Sequence, residues 1–125
     1  MKAKSVTSMG MVRKRVKLMG EKGALEVDAL IDTDTNRLLI PKEVAERLGV
    51  KPMFKVKAEL ADGSVKEVDV GPVFVEMLGR GAPELAAIVE KGDVCVGAET
   101  LETLGLAVDP VTGEVYPTRR FVWRI

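Results

Sequence analysis

The 125-residue chain contains no histidine. That absence removes Ser-His-Asp and Cys-His catalysis, histidine general bases and most zinc sites. A single cysteine, Cys95, can make no intrachain disulfide, and within Val94-Cys95-Val96 it reads as a small core residue. Glutamine is missing and Asn36 is the only asparagine. Net charge is missing too: 19 Lys and Arg face 19 Asp and Glu, so no global field recruits nucleic acid or an anionic membrane. No apolar run approaches the roughly 18 residues of a spanning helix, and no signal-peptide pattern opens the chain. The expectation is therefore a cytoplasmic protein with neither nucleic acid nor membrane among its partners. Any chemistry must rest on carboxylates, hydroxyls, lysines or a metal.

Hydrophobic residues make up 46% and charged residues 30%, the balance of a globular chain large enough for one core. Residues 1–11 lack periodicity and read as a loose N-terminal segment before a single domain over residues 12–125. Val12, Val16 and Leu18 share one phase. Leu25, Val27, Ala29 and Ile31 share another after the turn Gly20-Glu21-Lys22-Gly23. This predicts a hairpin with one buried face, its solvent face setting Arg13, Arg15 and Lys17 against Glu26 and Asp28. Such a basic stripe is a solvated ladder more readily than a nucleic-acid site.

Leu38-Leu39-Ile40 predicts a short strand, Pro41 a helix start and Gly49 its stop. A second hairpin follows, Phe54 to Leu60 returning through Ala61-Asp62-Gly63-Ser64 to Val65–Val70. Val65 is out of phase with Val68 and Val70, so the return is expected to bulge. Gly71-Pro72 reads as a break and Val73–Leu78 as a strand. Gly79-Arg80-Gly81 reads as a turn and Leu85–Val89 as a further strand. Val94-Cys95-Val96, a helix over Ala98–Leu104 and a stop at Gly105 come next. Two short strands about the Asp109–Gly113 turn lead to a terminal strand, Arg119–Ile125, with Phe121, Trp123 and Ile125 in one phase. Aligning Ile40 with Val96 pairs Glu43 with Glu99, Glu46 with Glu102, Leu48 with Leu104 and Gly49 with Gly105. The order of elements thus points to an internally duplicated β-rich unit.

The chemistry concentrates in Leu30-Ile31-Asp32-Thr33-Asp34-Thr35. An acid at the end of a buried-looking run is either a turn former or a working group. A hard cation on Asp32 and Asp34 is the remaining chemical option, though two acids on one loop are weak support. The chain resembles the retropepsin-like aspartic proteases. The resemblance rests on this segment, Leu39-Ile40-Pro41, the hairpin about Asp62-Gly63, and Cys95-Val96-Gly97 running into a helix that ends at Gly105. It covers roughly residues 12–117 and implies a mainly β fold: a closed acid-protease half-barrel with short helices, internally duplicated and homodimeric. The family carries Asp-Thr-Gly-Ala where this chain has Asp32-Thr33-Asp34-Thr35.

The resemblance implies an aspartic endopeptidase that uses no cofactor or metal and acts on a peptide or protein substrate. Asp32 of two chains would share one proton and activate water, with Thr33 bracing the loops and Asp34 beside them. Leu60, Ala61, Asp62, Gly63 and Ser64 would form a flap over substrate, and Gly97 would support the Asp32 loop. One alternative keeps the fold as a catalytically impaired peptide-binding or structural dimer, marked by Asp34. Another is an AbrB-like swapped-hairpin DNA-binding protein, to which Arg37–Pro52 is similar.

Overall fold

The computed structural model describes residues 12–125, and the segment expected to be loose lies outside them. Strands β1 (Val12–Gly20) and β2 (Gly23–Ile31) form an antiparallel hairpin in continuous register from Val12 opposite Ile31 to Gly20 opposite Gly23. Alternation sends Val16, Leu18, Ala29 and Ile31 into the core. It leaves Arg15 across from Asp28 and Lys17 across from Glu26, with Arg15 Nε 3.6 Å from Glu26 Oε1. The basic stripe is one half of a charge-paired surface.

Strand β3 (Leu38–Pro41) enters helix α1 (Lys42–Leu48), which buries Ala45 and Leu48. Gly49, at φ 73°, closes it. Strand β4 (Phe54–Glu59) pairs with the first part of β5 (Val65–Met77), and β5 then pairs with β6 (Arg80–Val89). Strand β7 (Cys95–Val96) leads into α2 (Ala98–Leu104), closed by Gly105 at φ 67°. Strands β8 (Leu106–Val108) and β9 (Val115–Pro117) form a separate two-stranded sheet.

The main sheet runs β1-β2-β7-β3-β6-β5-β4, and an additional β1–β5 pairing closes six of these strands into a barrel with β4 outside the ring. The two halves interlock. β7 pairs in parallel with β2, from the other half, and β3 pairs in parallel with β6, again across the halves. Inside lie Leu18, Ile31, Leu38, Ile40, Leu48, Val75, Val96 and Leu104, all essentially inaccessible. The unit Leu38–Gly49 is thus built into a barrel wall, which removes the basis for the swapped-hairpin DNA-binding reading.

Four local expectations need correction. Gly71-Pro72 does not break the chain, because β5 is continuous through it. One edge of β5 pairs with β4 up to Val70 and with β1 from Phe74, and the dipeptide falls between the two partners, where a proline costs no ladder bond on that edge. The β4–β5 return has no bulge: pairing runs regularly from Phe54 opposite Val70 to Glu59 opposite Val65. Val65 is 60% exposed because it pairs with Glu59 on the hairpin's polar face, the one that carries Lys55 and Asp69. The β5–β6 loop is Leu78-Gly79 alone, so Arg80 and Gly81 already belong to β6. Finally, Arg119–Ile125 is not a strand: it pairs with no other segment of this chain.

The C-terminal segment is nevertheless held as far as Phe121. Thr118 N–H donates to Gly105 O, and Arg119 Nη2 donates to Glu102 O and Thr103 O. Arg80 Nη1 donates to Leu104 O and Gly105 O, and its guanidinium lies 5.4 Å from the Phe121 ring centroid. These two arginines supply the C-terminal cations that α2 lacks in its own last turn. Beyond Phe121 the chain is exposed, Trp123 at 85%.

The Leu78-Gly79 loop has positive φ at both residues, 54° and 76°, the geometry of a type I′ hairpin turn. Leucine tolerates the left-handed region poorly, whereas asparagine accepts it. Leu78 is also 59% exposed, so little packing is lost on replacing it. Leu78→Asn is expected to stabilise the fold by about 1 kcal/mol, read as a higher urea midpoint with an unchanged slope.

Candidate active site

Asp32 is the first residue after β2, fixed by parallel pairing: Leu30 N–H donates to Val94 O at 2.8 Å and Asp32 N–H to Val96 O at 3.0 Å. The chain then turns sharply, with Thr35 N–H donating to Asp32 O at 3.1 Å. The half-buried Asp32 carboxylate is aimed by its own loop. Asp34 N–H donates to Oδ1 at 2.9 Å and the Thr35 hydroxyl to Oδ2 at 3.2 Å. Cys95 lies close behind. Burial, and secondarily the Asp32 charge, push its thiol above the usual range, which keeps it protonated and inert.

Helix α2 begins at Gly97 without a side-chain cap. Its leading N–H groups are instead taken by the Asp32 loop: Ala98 N–H donates to Thr35 O at 2.7 Å and Glu99 N–H to Asn36 O at 2.9 Å. Arg37 Nη1 adds an ion pair to Glu99 Oε1 at 3.4 Å. Gly97 makes this approach possible, because a Cβ there would sit 2.5 Å from Thr35 O and 2.6 Å from Arg37 O.

Asp32 opens into a groove of about 1000 Å³. The loop residues Asp34, Thr35, Asn36 and Arg37 form one side. The apolar face of the β4–β5 hairpin, with Phe54, Val56, Ala58, Val68 and Val70, forms another, and Leu85, Ala87 and Val89 of β6 complete it with Leu39. The opposite face of the hairpin is polar, carrying the 2.7 Å Lys55–Asp69 pair. At its tip, Asp62 Oδ1 accepts from the Ser64 hydroxyl and from Ser64 N–H, which holds the Asp62 carboxyl below the usual carboxylate range.

Of the residues singled out in the sequence, the structure brings Asp32, Asp34, Leu60 and Ala61 to the groove. Gly97 lies beneath the Asp32 loop. Thr33 is exposed at the apex of that loop, and Asp62, Gly63 and Ser64 shape the hairpin tip rather than line the cavity. Asp34 needs no glycine-like backbone: among the described residues only Leu78 is a non-glycine with positive φ. No third potential ligand joins Asp32 and Asp34 among the described residues. Thr35 as a carboxylate-orienting group, and the walls formed by Phe54, Val56, Leu85 and Val89, were not picked out. The alternation of β4 carried the signal for Phe54 and Val56.

If Gly97 is what allows the loop to seat on α2, Gly97→Ala must push Thr35–Arg37 away. We expect it to cost about 2 kcal/mol of stability, measured by chemical denaturation. Val96→Ala, a cavity change at the adjacent position, serves as a comparison that leaves the loop contact intact.

Residues 15–89 match the family model described as aspartyl protease. No curated protein sequence matches the chain significantly. Among solved structures, the EIAV protease complexed with the inhibitor HBY-793 is similar in fold, with a TM-score of 0.60 over 79% of this chain and 92% of that one, at 16% identity. Among the described residues no helix is long and apolar enough to cross a membrane. The family match takes in the Asp32 loop and the whole β4–β5 hairpin, and with the six-stranded closed barrel it establishes that the chain belongs to the retropepsin-like aspartyl protease family.

Proposed function

We propose that the protein is an aspartic endopeptidase whose active form is a homodimer. The observation that carries this reading is the Asp32 carboxylate, oriented through both oxygens and opening into a groove beneath a hairpin with an apolar inner face. One chain supplies one such carboxylate, and peptide hydrolysis of this kind needs two. Under this reading two Asp32 groups face each other across a two-fold axis and hold one proton between them. The unprotonated carboxylate takes a proton from water as the water oxygen bonds to the peptide carbonyl carbon. The other carboxylate gives its proton to the carbonyl oxygen. As the resulting diol collapses, the C–N bond breaks, the departing nitrogen takes the proton that the first carboxylate removed from water, and the second carboxylate recovers a proton from the diol hydroxyl. In this reading Thr33, exposed at the loop apex, meets its counterpart across the axis, and the hairpin tip Leu60–Ser64 closes over substrate. Removing Asp32→Asn from this scheme removes the proton relay. We expect that variant to lose about 10³-fold in peptide cleavage, and cleavage by the parent to fall as pH rises and the shared proton is lost. Activity that is highest in alkali, or that survives in Asp32→Asn, rejects the mechanism.

Support for association comes from the C-terminus. Thr118, Arg119 and Phe121 are anchored to α2 and β6, while Val122, Trp123 and Ile125 stand exposed at 59%, 85% and 111%. An apolar run delivered by a fixed anchor fits a second copy. Deleting residues 122–125 spares every anchoring contact, so it should leave monomer stability unchanged and weaken the dimer about tenfold or more, measured by sedimentation. Unchanged association places the interface elsewhere.

A second reading, a non-catalytic peptide-binding dimer, is favoured by Asp34 standing where the family has glycine. The two readings part on cleavage. A dimer that binds peptide in the groove but hydrolyses none at any pH is the non-catalytic one.

A further inference from the structure

Asp34 lines the groove two residues from Asp32, is exposed, and its carboxylate makes no ion pair or hydrogen bond among the described residues. Its backbone N–H is committed to Asp32 Oδ1, so its Cα is fixed close to the reacting group and only its side chain is free to turn. The groove's lining carries three other charged side chains besides Asp32. Arg37 is paired with Glu99. Lys57 and Glu59 sit on the hairpin, across from Glu67 and Val65. The remaining walls are mostly apolar. Beside Asp32 on its loop, then, Asp34 is the charge that has no ion-pair partner among the described residues, and it is negative.

Two copies would bring two Asp34 carboxylates close to the Asp32 pair, and like charges there oppose both association and occupancy. A cation on the substrate removes that opposition. We infer that Asp34 is a specificity-determining residue, selecting substrates that carry a lysine or arginine side chain within two residues of the cleaved bond, flanked by apolar side chains for Phe54, Val56 and Leu85. This rests on the peptidase reading above and extends it to a substrate class: extended, apolar segments interrupted by a basic residue. Asp34 acts through charge at the substrate side chain and takes no part in the bond-breaking steps. The same logic makes association substrate-linked, the dimer tightening when a basic peptide is present and not when its neutral counterpart is.

The test uses two fluorogenic peptides identical except at one position next to the scissile bond, lysine in one and norleucine in the other, in direct competition. The parent protein should favour the lysine peptide by about fivefold in kcat/KM, and the preference should shrink in high salt. In Asp34→Asn, which keeps the size and the backbone N–H, the two peptides should be cleaved within twofold of each other. No lysine preference in the parent, or a preference that persists in Asp34→Asn, overturns the inference while leaving the peptidase reading intact. If the parent cleaves neither peptide, the peptidase reading fails and the inference is decided by binding alone, using the same peptides and fluorescence anisotropy. Tighter binding of the lysine peptide that Asp34→Asn abolishes upholds charge selection by Asp34. Equal binding, or none, overturns it.

Discussion

The structure hangs on an exchange between a helix that has no cap of its own and a loop that has carbonyls to spare. The first N–H groups of α2 meet Thr35 O and Asn36 O, and the cost of leaving them unmet is what holds the Asp32 loop in place. Because these are backbone groups, the contact does not depend on which side chains the loop carries. That is why the loop can replace a glycine with Asp34 and an alanine with Thr35 and still seat Asp32 at the end of β2. The side chains are then free for other work: Thr35 to steady one carboxylate oxygen, Arg37 to reach Glu99, Asp34 to face the groove.

A similar division runs through the barrel. β5 is the hub, serving β4, β1 and β6 along its length. Its Val73, Val75 and Met77 are buried in the core. Nearer the hairpin, Val68 and Val70 help to line the groove. A single strand therefore runs from the interior of the barrel to the hairpin over Asp32.

Much of this was legible in the sequence, for identifiable reasons. Period-two alternation with a charge-paired outer face gave β1 and β2. Proline entering and glycine leaving gave α1, an apolar run stopped by Gly105 gave α2, and an acid ending an apolar run marked Asp32. What was misread depended on partners distant in the chain. Gly71-Pro72 looks like a break locally and becomes innocuous only because β5 changes neighbours there. Val65 signals a bulge only if it belongs to the hairpin's apolar face, whereas it pairs with Glu59 on the polar one. The alternation of Phe121, Trp123 and Ile125 is strand-like, yet the segment pairs with no strand of this chain. Thr35 passed unnoticed because its hydroxyl acquires meaning only from the turn that folds it back onto Asp32. Such effects lie in pairing, and no window of sequence contains them.

The crossed pairing of the two halves also fixes an order of events. Leu30 pairs with Cys95 and Ile31 with Val96, residues 65 apart (95 − 30 and 96 − 31), and the other half's strand β6 is in turn completed by β3. Neither half can satisfy its own backbone, so closing this long loop precedes any stable arrangement of residues 32–37. A chain still emerging from the ribosome can collapse its first hairpin, but its carboxylate loop stays unformed until the segment through α2 has been made. The fold thereby acts as a timer. The Asp32 loop is seated by backbone from the other half of the chain, so a fragment that stops before α2 cannot present it.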